Sequence, residues 1–200
     1  MSTKQLAELN RAMKENLLVS IYTNQWEPDY FSTGFVDAIS DQEVVLSHVT
    51  PDGLYDGYIV RKLDDLFRVD IGGLYEQRLY LLYTLQKQSH LKLIKKRKTG
   101  DANLFQEVLL CARKQNYVVS LCIDETDTQD GITGWISEVS DDEVIIAKIS
   151  YEGHNDGFSI VPMNQISKIN CDTTDERVIK ILNNYYNSKK VMSHNNEGEE

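Results

Sequence analysis

Cysteine, proline and histidine are sparse in this chain of 200 residues, with three, three and four copies. Cys111, Cys122 and Cys171 are odd in number and match no metal-ligand spacing, which argues against a disulfide framework and a structural zinc site. The four histidines form neither H-x-x-x-H nor H-E-x-x-H. No long apolar run occurs, and no charged-then-apolar segment opens the chain. Neither a membrane span nor a leader is therefore expected, and cytoplasmic residence follows. Gly-x-Ser-x-Gly is missing, and the Gly72-Gly73 pair is not a phosphate loop. The sequence predicts no enzyme and no cofactor.

What is present is a repeat. Thr33-Gly34-Phe35-Val36 through Ser40-Asp41-Gln42-Glu43-Val44 returns one hundred residues later as Thr133-Gly134-Trp135-Ile136 through Ser140-Asp141-Asp142-Glu143-Val144. A Thr-Gly step into an apolar strand, a polar turn and a β-branched run read as a bent β-hairpin. Asn16 and Asn116 match, as do Asp56-Gly57 and Asp156-Gly157. With 41% hydrophobic and 26% charged residues, each copy has the composition of a globular module.

Charge is unequal between the copies. Residues 1–100 carry 13 Lys+Arg and 13 Asp+Glu, whereas residues 101–200 carry 8 and 18, so the net −10 lies in the second half. An acidic module is a poor match for a phosphate backbone.

In each copy an amphipathic helix comes first, carrying Leu6, Leu9 and Met13 in one and Leu104, Val108 and Leu109 in the other, the latter with Asp101 as its expected N-cap. Short strands follow. Val45, Ser47 and Val49, like Ile145, Ala147 and Ile149, are expected to face the core. A break near Asp64-Asp65 and Asn164-Gln165 separates two last strands, and Pro162 places the second copy's fourth strand at an edge or bulge. Closing helices are expected from Glu76 to about Leu93 and from Thr173, where Thr173-x-x-Glu176 forms a capping box. The expected division is 1–94 for the first module, 95–100 for a basic linker, 101–187 for the second module and 188–200 for a disordered acidic tail.

A helix followed by five short, strongly bent strands resembles the Sm-like fold within the SH3-like small barrels, over residues 3–70 and 103–170. Gly34-Phe35-Val36 followed by Ile39 looks like the opening of the first Sm motif. The resemblance implies a mostly β protein with flanking helices: two tandem five-stranded Sm-like barrels, each with an N-terminal and a C-terminal helix. It also implies edge-to-edge pairing of the two repeats, and a homo-oligomer. The RNA-contacting residues do not carry over. Ser40 and Val44, and likewise Ser140 and Val144, stand where the family has Asp and Asn, and the Arg-Gly pair before the last strand is missing.

Two features point to binding. Trp26, Pro28, Tyr30 and Phe31 cluster aromatic rings and a proline in one loop, whose counterpart from Asp124 to Asp130 is acidic. Such a loop either engages a protein partner or plugs the barrel end. Lys95, Lys96, Arg97 and Lys98 form a basic run that could hold nucleic acid or neutralise the acidic repeat. The sequence reading is a non-catalytic cytoplasmic adaptor that binds a protein partner through the aromatic loop. The alternative is a single-stranded RNA binder using Trp26, Tyr30 and Phe31 for stacking and the basic run for phosphates. Metal binding is not expected. Glu152, His154 and Asp156 alternate in a glycine turn, but their counterparts Asp52, Leu54 and Asp56 lack the histidine, and Asp124 to Asp130 fails the EF-hand template.

Overall fold

The computed structural model describes residues 1–26, 30–94, 103–123 and 131–196. The first repeat contains α1 (Thr3–Glu15), β1 (Leu18–Tyr22), β2 (Phe31–Ile39), β3 (Glu43–Val49), β4 (Tyr55–Lys62), β5 (Arg68–Ile71) and α2 (Leu74–Leu85). The second contains α3 (Leu104–Gln115), β6 (Val118–Cys122), β7 (Ile132–Val139), β8 (Glu143–Ile149), β9 (Asn155–Pro162), a 3₁₀ turn at Met163–Gln165, β10 (Lys168–Cys171) and α4 (Thr174–Asn196).

Local signals set the helix ends. Ser2 and Gln5 form a capping box on α1, while Asn103 caps α3 by accepting from the Gln106 amide; Asp101 lies outside the described residues. Asn16 and Asn116 end the two helices at φ 54° and 55°, a left-handed conformation that Asn tolerates well. The closing helices differ from expectation. α2 stops at Leu85, because Lys87 turns to φ 54° and the Gln86 amide side chain bonds the Asp52 carbonyl. α4 runs past Ser188 to Asn196; no glycine or proline interrupts it before Gly198.

All ten strands belong to one antiparallel sheet in the order β5-β1-β2-β3-β4-β10-β6-β7-β8-β9. This corrects the expectation of two closed five-stranded barrels. The reason is local: β4 spends its outer edge on β10 of the other repeat, pairing Tyr58 with Cys171, Ile59 with Asn170, Val60 with Ile169 and Arg61 with Lys168. A strand satisfied in this way is not available to close its own module. The repeats share their irregularities too. Bulges fall between Val36 and Ala38 and between Ile136 and Glu138, and again between Ser47 and Val49 and between Ala147 and Ile149. Such bulges bend a strand locally; within each repeat the two helices pack against alternate residues of the first strand, with Val19 and Ile21 under α1 and Leu18 under α2, and Val119 and Leu121 under α3 and Val118 under α4.

The core assignment holds for all three residues of the first repeat and, in the second, for Ile149. Val45, Ser47 and Val49 are buried, but so are Val44 and Leu46. Val44 and Leu46 pack under α1 with Leu9 and Ala12, whereas Val45 joins the core of the second repeat with Leu93, Leu104 and Phe105. In the middle of β8 the opposite parity is inside: Val144 and Ile146 are buried, and Ile145 and Ala147 only half-buried. The parity argument fails because it assumes one covered face, while β3 is covered on both.

Each closing helix is tied to the first strand by a carboxylate. Ser120 Oγ donates to Glu176 Oε1 at 2.6 Å while the Thr173 amide donates to Oε2 at 3.0 Å; Ser20 makes the matching bond to Glu76 at 2.5 Å. Gly73 provides no side-chain cap in the first repeat. We expect Glu176→Ala to cost about 2–4 kcal/mol by removing a buried acceptor from three donors, the Ser120 hydroxyl and the Thr173 amide and hydroxyl, and Glu76→Ala less. Urea unfolding of the two variants measures the difference.

Candidate functional site

The aromatic loop lies where β1 ends and β2 begins. Phe31, the first residue of β2, pairs with Tyr22, the last of β1. Their rings stack at 4.8 Å, Tyr75 meets Phe31 edge-on at 5.3 Å, and Phe67 meets Tyr22 at 6.2 Å. Arg68 lies over the Tyr22 ring at 4.5 Å and pairs with Asp70, which also accepts from the Tyr22 hydroxyl at 3.1 Å. Burial, and then the Asp70 charge, raise the Tyr22 phenol above its ordinary pKa, so it stays a donor. Phe31 is thus an anchor within the fold.

Trp26 and Tyr30 are different. Trp26 is 93% exposed and Tyr30 72%. The Trp26 backbone amide is held by the Asn24 side chain at 2.9 Å, while the Trp26 ring stands in solvent. Of the loop residues singled out in the sequence, the structure brings Phe31 into the aromatic cluster and leaves Trp26 and Tyr30 outward. Pro28 lies outside the described residues, as do Lys95, Lys96, Arg97 and Lys98.

A second cluster has no clear signal in the sequence. Asp37 is buried beside the chain that leaves the first repeat, where its Oδ2 accepts the Leu93 amide at 3.3 Å and its Oδ1 has no hydrogen-bond partner among the described residues. Burial raises its carboxyl from 3.8 to about 6, against partial offsets from the neighbouring Ser47 side chain, the Leu93 amide and the Lys92 charge. His90 stacks on Phe35 at 4.5 Å and bonds the Tyr83 hydroxyl at 2.8 Å. Its imidazolium is disfavoured by burial and by Lys92. The one hint was an acid in mid-strand where the second repeat has Ser137. These groups hold the chain that leaves the first repeat against β2 and α2.

Cys171 and Cys111 are poor nucleophiles. Burial raises the Cys171 thiol far above its ordinary value, and Cys111 rises for the same reason. Among the described residues no group of three His, Cys, Asp or Glu side chains is placed to hold a metal ion, and no helix is long and apolar enough to cross a membrane. Glu152, His154 and Asp156 do not converge, since Asp156 pairs instead with Lys148 at 3.0 Å.

Comparison of the chain with family models, curated proteins and solved structures returns no match. Function therefore rests on the chemistry of its own surface.

Proposed function

We propose that the protein is a non-catalytic cytoplasmic interaction protein whose first repeat presents Trp26 and Tyr30 to a protein partner. The observation that carries this reading is the division of labour in one short segment: Phe31 is spent on the fold, while Trp26 and Tyr30 stand 93% and 72% exposed. Large apolar rings held outward on an anchored loop make effective interface centres, because they bury much area for little rotamer entropy. The succession of a helix and five short bent strands in each copy supports reading both repeats as Sm-like modules, here joined in one sheet. The second repeat, with the acidic balance and no aromatic counterpart to Trp26, serves as support.

Trp26→Ala and Tyr30→Ala are expected to leave the melting temperature within a few degrees, since exposed side chains contribute little to stability. Partner capture should weaken by about thirtyfold for a central aromatic. A large drop in melting temperature would place Trp26 in the fold and defeat the reading. The same two rings suit base stacking, so titration with single-stranded RNA separates the alternative. Binding that falls steeply with salt and depends on Lys95 to Lys98 would favour RNA.

A further inference from the structure

One face of the sheet is covered in the first repeat and open in the second. Phe35, Ser47 and Tyr58 line up across β2, β3 and β4 on this face, with Val45 and Val60 beside them, and all five are buried. Their counterparts Trp135, Ala147, Phe158, Ile145 and Ile160 line up in the same register. Phe158 and Ile160 stand 70% and 63% exposed, and the other three are only half-buried. The cause lies after the closing helices. α2 stops at Leu85, and residues 88–94 then cross the first face as an irregular strap. His90 stacks on Phe35, the Tyr58 hydroxyl donates to the Leu91 carbonyl at 2.7 Å, and Leu93 and Ile94 share one core with Val45, Tyr58, Val60 and the start of α3. α4 continues to Asn196 instead, and among the described residues no strap returns over the second face.

We propose that the open face of the second repeat is the docking site for an extended segment of a partner protein with the strap's own chemistry: two adjacent aliphatic residues flanked by lysine or arginine. The strap shows what such a face accepts. It reads Leu91-Lys92-Leu93-Ile94 and continues in sequence as Lys95-Lys96-Arg97-Lys98. Its polar seats have counterparts in the second repeat. Ser137 stands where Asp37 accepts the Leu93 amide, and a hydroxyl oxygen accepts as well. Glu143 stands exposed where Glu43 accepts the Leu104 amide. Phe158 replaces Tyr58 and lacks its hydroxyl, which leaves a more apolar floor for aliphatic side chains.

Charge selects the flanks of the incoming segment. Glu138 replaces Ala38 and pairs across from Ile145, which puts an exposed carboxylate on the face itself. Glu143, two residues before Ile145 on β8, adds a second on the same side, and Asp142 stands exposed in the adjoining turn. In the first repeat Lys92 of the strap sets its charge beside Asp37. An acidic rim around an apolar floor favours a cationic apolar segment over a neutral or acidic one, and the net −10 of the second half extends that preference to encounter. The surface is distinct from the Trp26 loop, which belongs to the first repeat, and gives the second repeat a binding role of its own.

Fluorescence anisotropy of a labelled peptide spanning Gln88 to Lys98, titrated with the full chain, tests this. Saturable binding is expected. Phe158→Ser with Ile160→Ser, both at exposed positions, should weaken it by about thirtyfold, the scale of a central apolar contact. Glu138→Lys should weaken it by about two- to fivefold, the scale of an exposed ion pair. A peptide carrying Leu93→Ser and Ile94→Ser keeps its charge and should lose the same thirtyfold, a check that leaves the chain unaltered. Trp26→Ala with Tyr30→Ala should leave peptide binding unchanged, so the fate of the aromatic loop as an interface is read separately. Absence of binding, binding that survives both β9 substitutions, or equal binding of the serine peptide would overturn the proposal. Sedimentation velocity supplies the last outcome: a free chain that self-associates until the two β9 serines return it to a monomer has its face covered by a second copy, and the proposal falls.

Discussion

Gly34→Val is expected to prevent stable folding, and Gly134→Val to do the same in the second repeat. Gly34 pairs with Val19 on one side and His48 on the other, in the middle of three paired strands. A Cβ there would run into the Ser47 carbonyl, and at Gly134 into that of Ala147. The obstacle is backbone held in a ladder, so no rotamer change relieves it, and the strands would have to separate. Overpacking a core by a methylene costs about 1–3 kcal/mol where side chains can adjust; with backbone opposing backbone the cost should exceed that range. It then approaches the whole stability of a module of this size, about 5–15 kcal/mol. Gly72→Asn is the control. It lies at φ 74° with open space around it, and the second repeat accommodates Asp172 at φ 54° in its place. That variant should lose no more than about 1 kcal/mol. Guanidinium unfolding of the three variants compares them directly, and a Gly34→Val protein with wild-type stability would mean that the strand approach is looser than described.

Most of the fold is legible where a residue type answers to one local requirement. The repeated Thr-Gly step marks the close approach of β2 to β3, the paired Asn16 and Asn116 mark left-handed helix ends, and Thr173-x-x-Glu176 marks a helix start whose glutamate does bond back to the Thr173 amide. What the sequence does not show is decided between the repeats. Whether β4 closes on its own module or on β10 depends on two nearly equal edges, and nothing in the alternation of Tyr58, Ile59 and Val60 distinguishes them. The same ambiguity misplaces the core parity of β8. Ile145 and Val45 look alike in sequence, yet Val45 has the second repeat packed over it and Ile145 does not.

The candidate site divides along a similar line. An aromatic cluster in a loop is visible from composition, and its role as a surface or a plug is not. The outcome is both: Phe31 finds a stacking partner in Tyr22 because it begins a strand, whereas Trp26 lies between β1 and β2 and meets no ring among the described residues. Asp37 was unreadable for a different reason. Its burial comes from Leu93 and Ile94, far along the chain, and from the second repeat beneath them.

That burial leads to an unusual dependence on pH: the protein should gain stability as pH falls from 7 towards 4. Asp37 titrates at about 6 in the folded protein against 3.8 when exposed, so the folded state binds a proton that the unfolded state does not. Its contribution is fully present below about pH 4 and is lost as pH rises through about 6, a swing of roughly 3 kcal/mol. Glu43, raised by burial despite its bond from the Leu104 amide, acts in the same direction. Two groups oppose it. His90, lowered by burial and Lys92, favours the folded state above its ordinary value of 6.5 and loses that contribution as pH falls. Asp56 is pushed up by burial, but the bonds from His48 and Thr174 outweigh that and hold it below 3.8, so its contribution fails only in stronger acid. Asp37→Asn isolates the effect, because an amide oxygen can still accept from Leu93 while carrying no charge. At pH 7 the variant should be more stable than the wild type by about 1–3 kcal/mol, and the advantage should vanish by about pH 4. Chemical unfolding of both proteins across this range gives the difference at each pH; a constant difference would mean that Asp37 is solvated and its carboxyl ordinary.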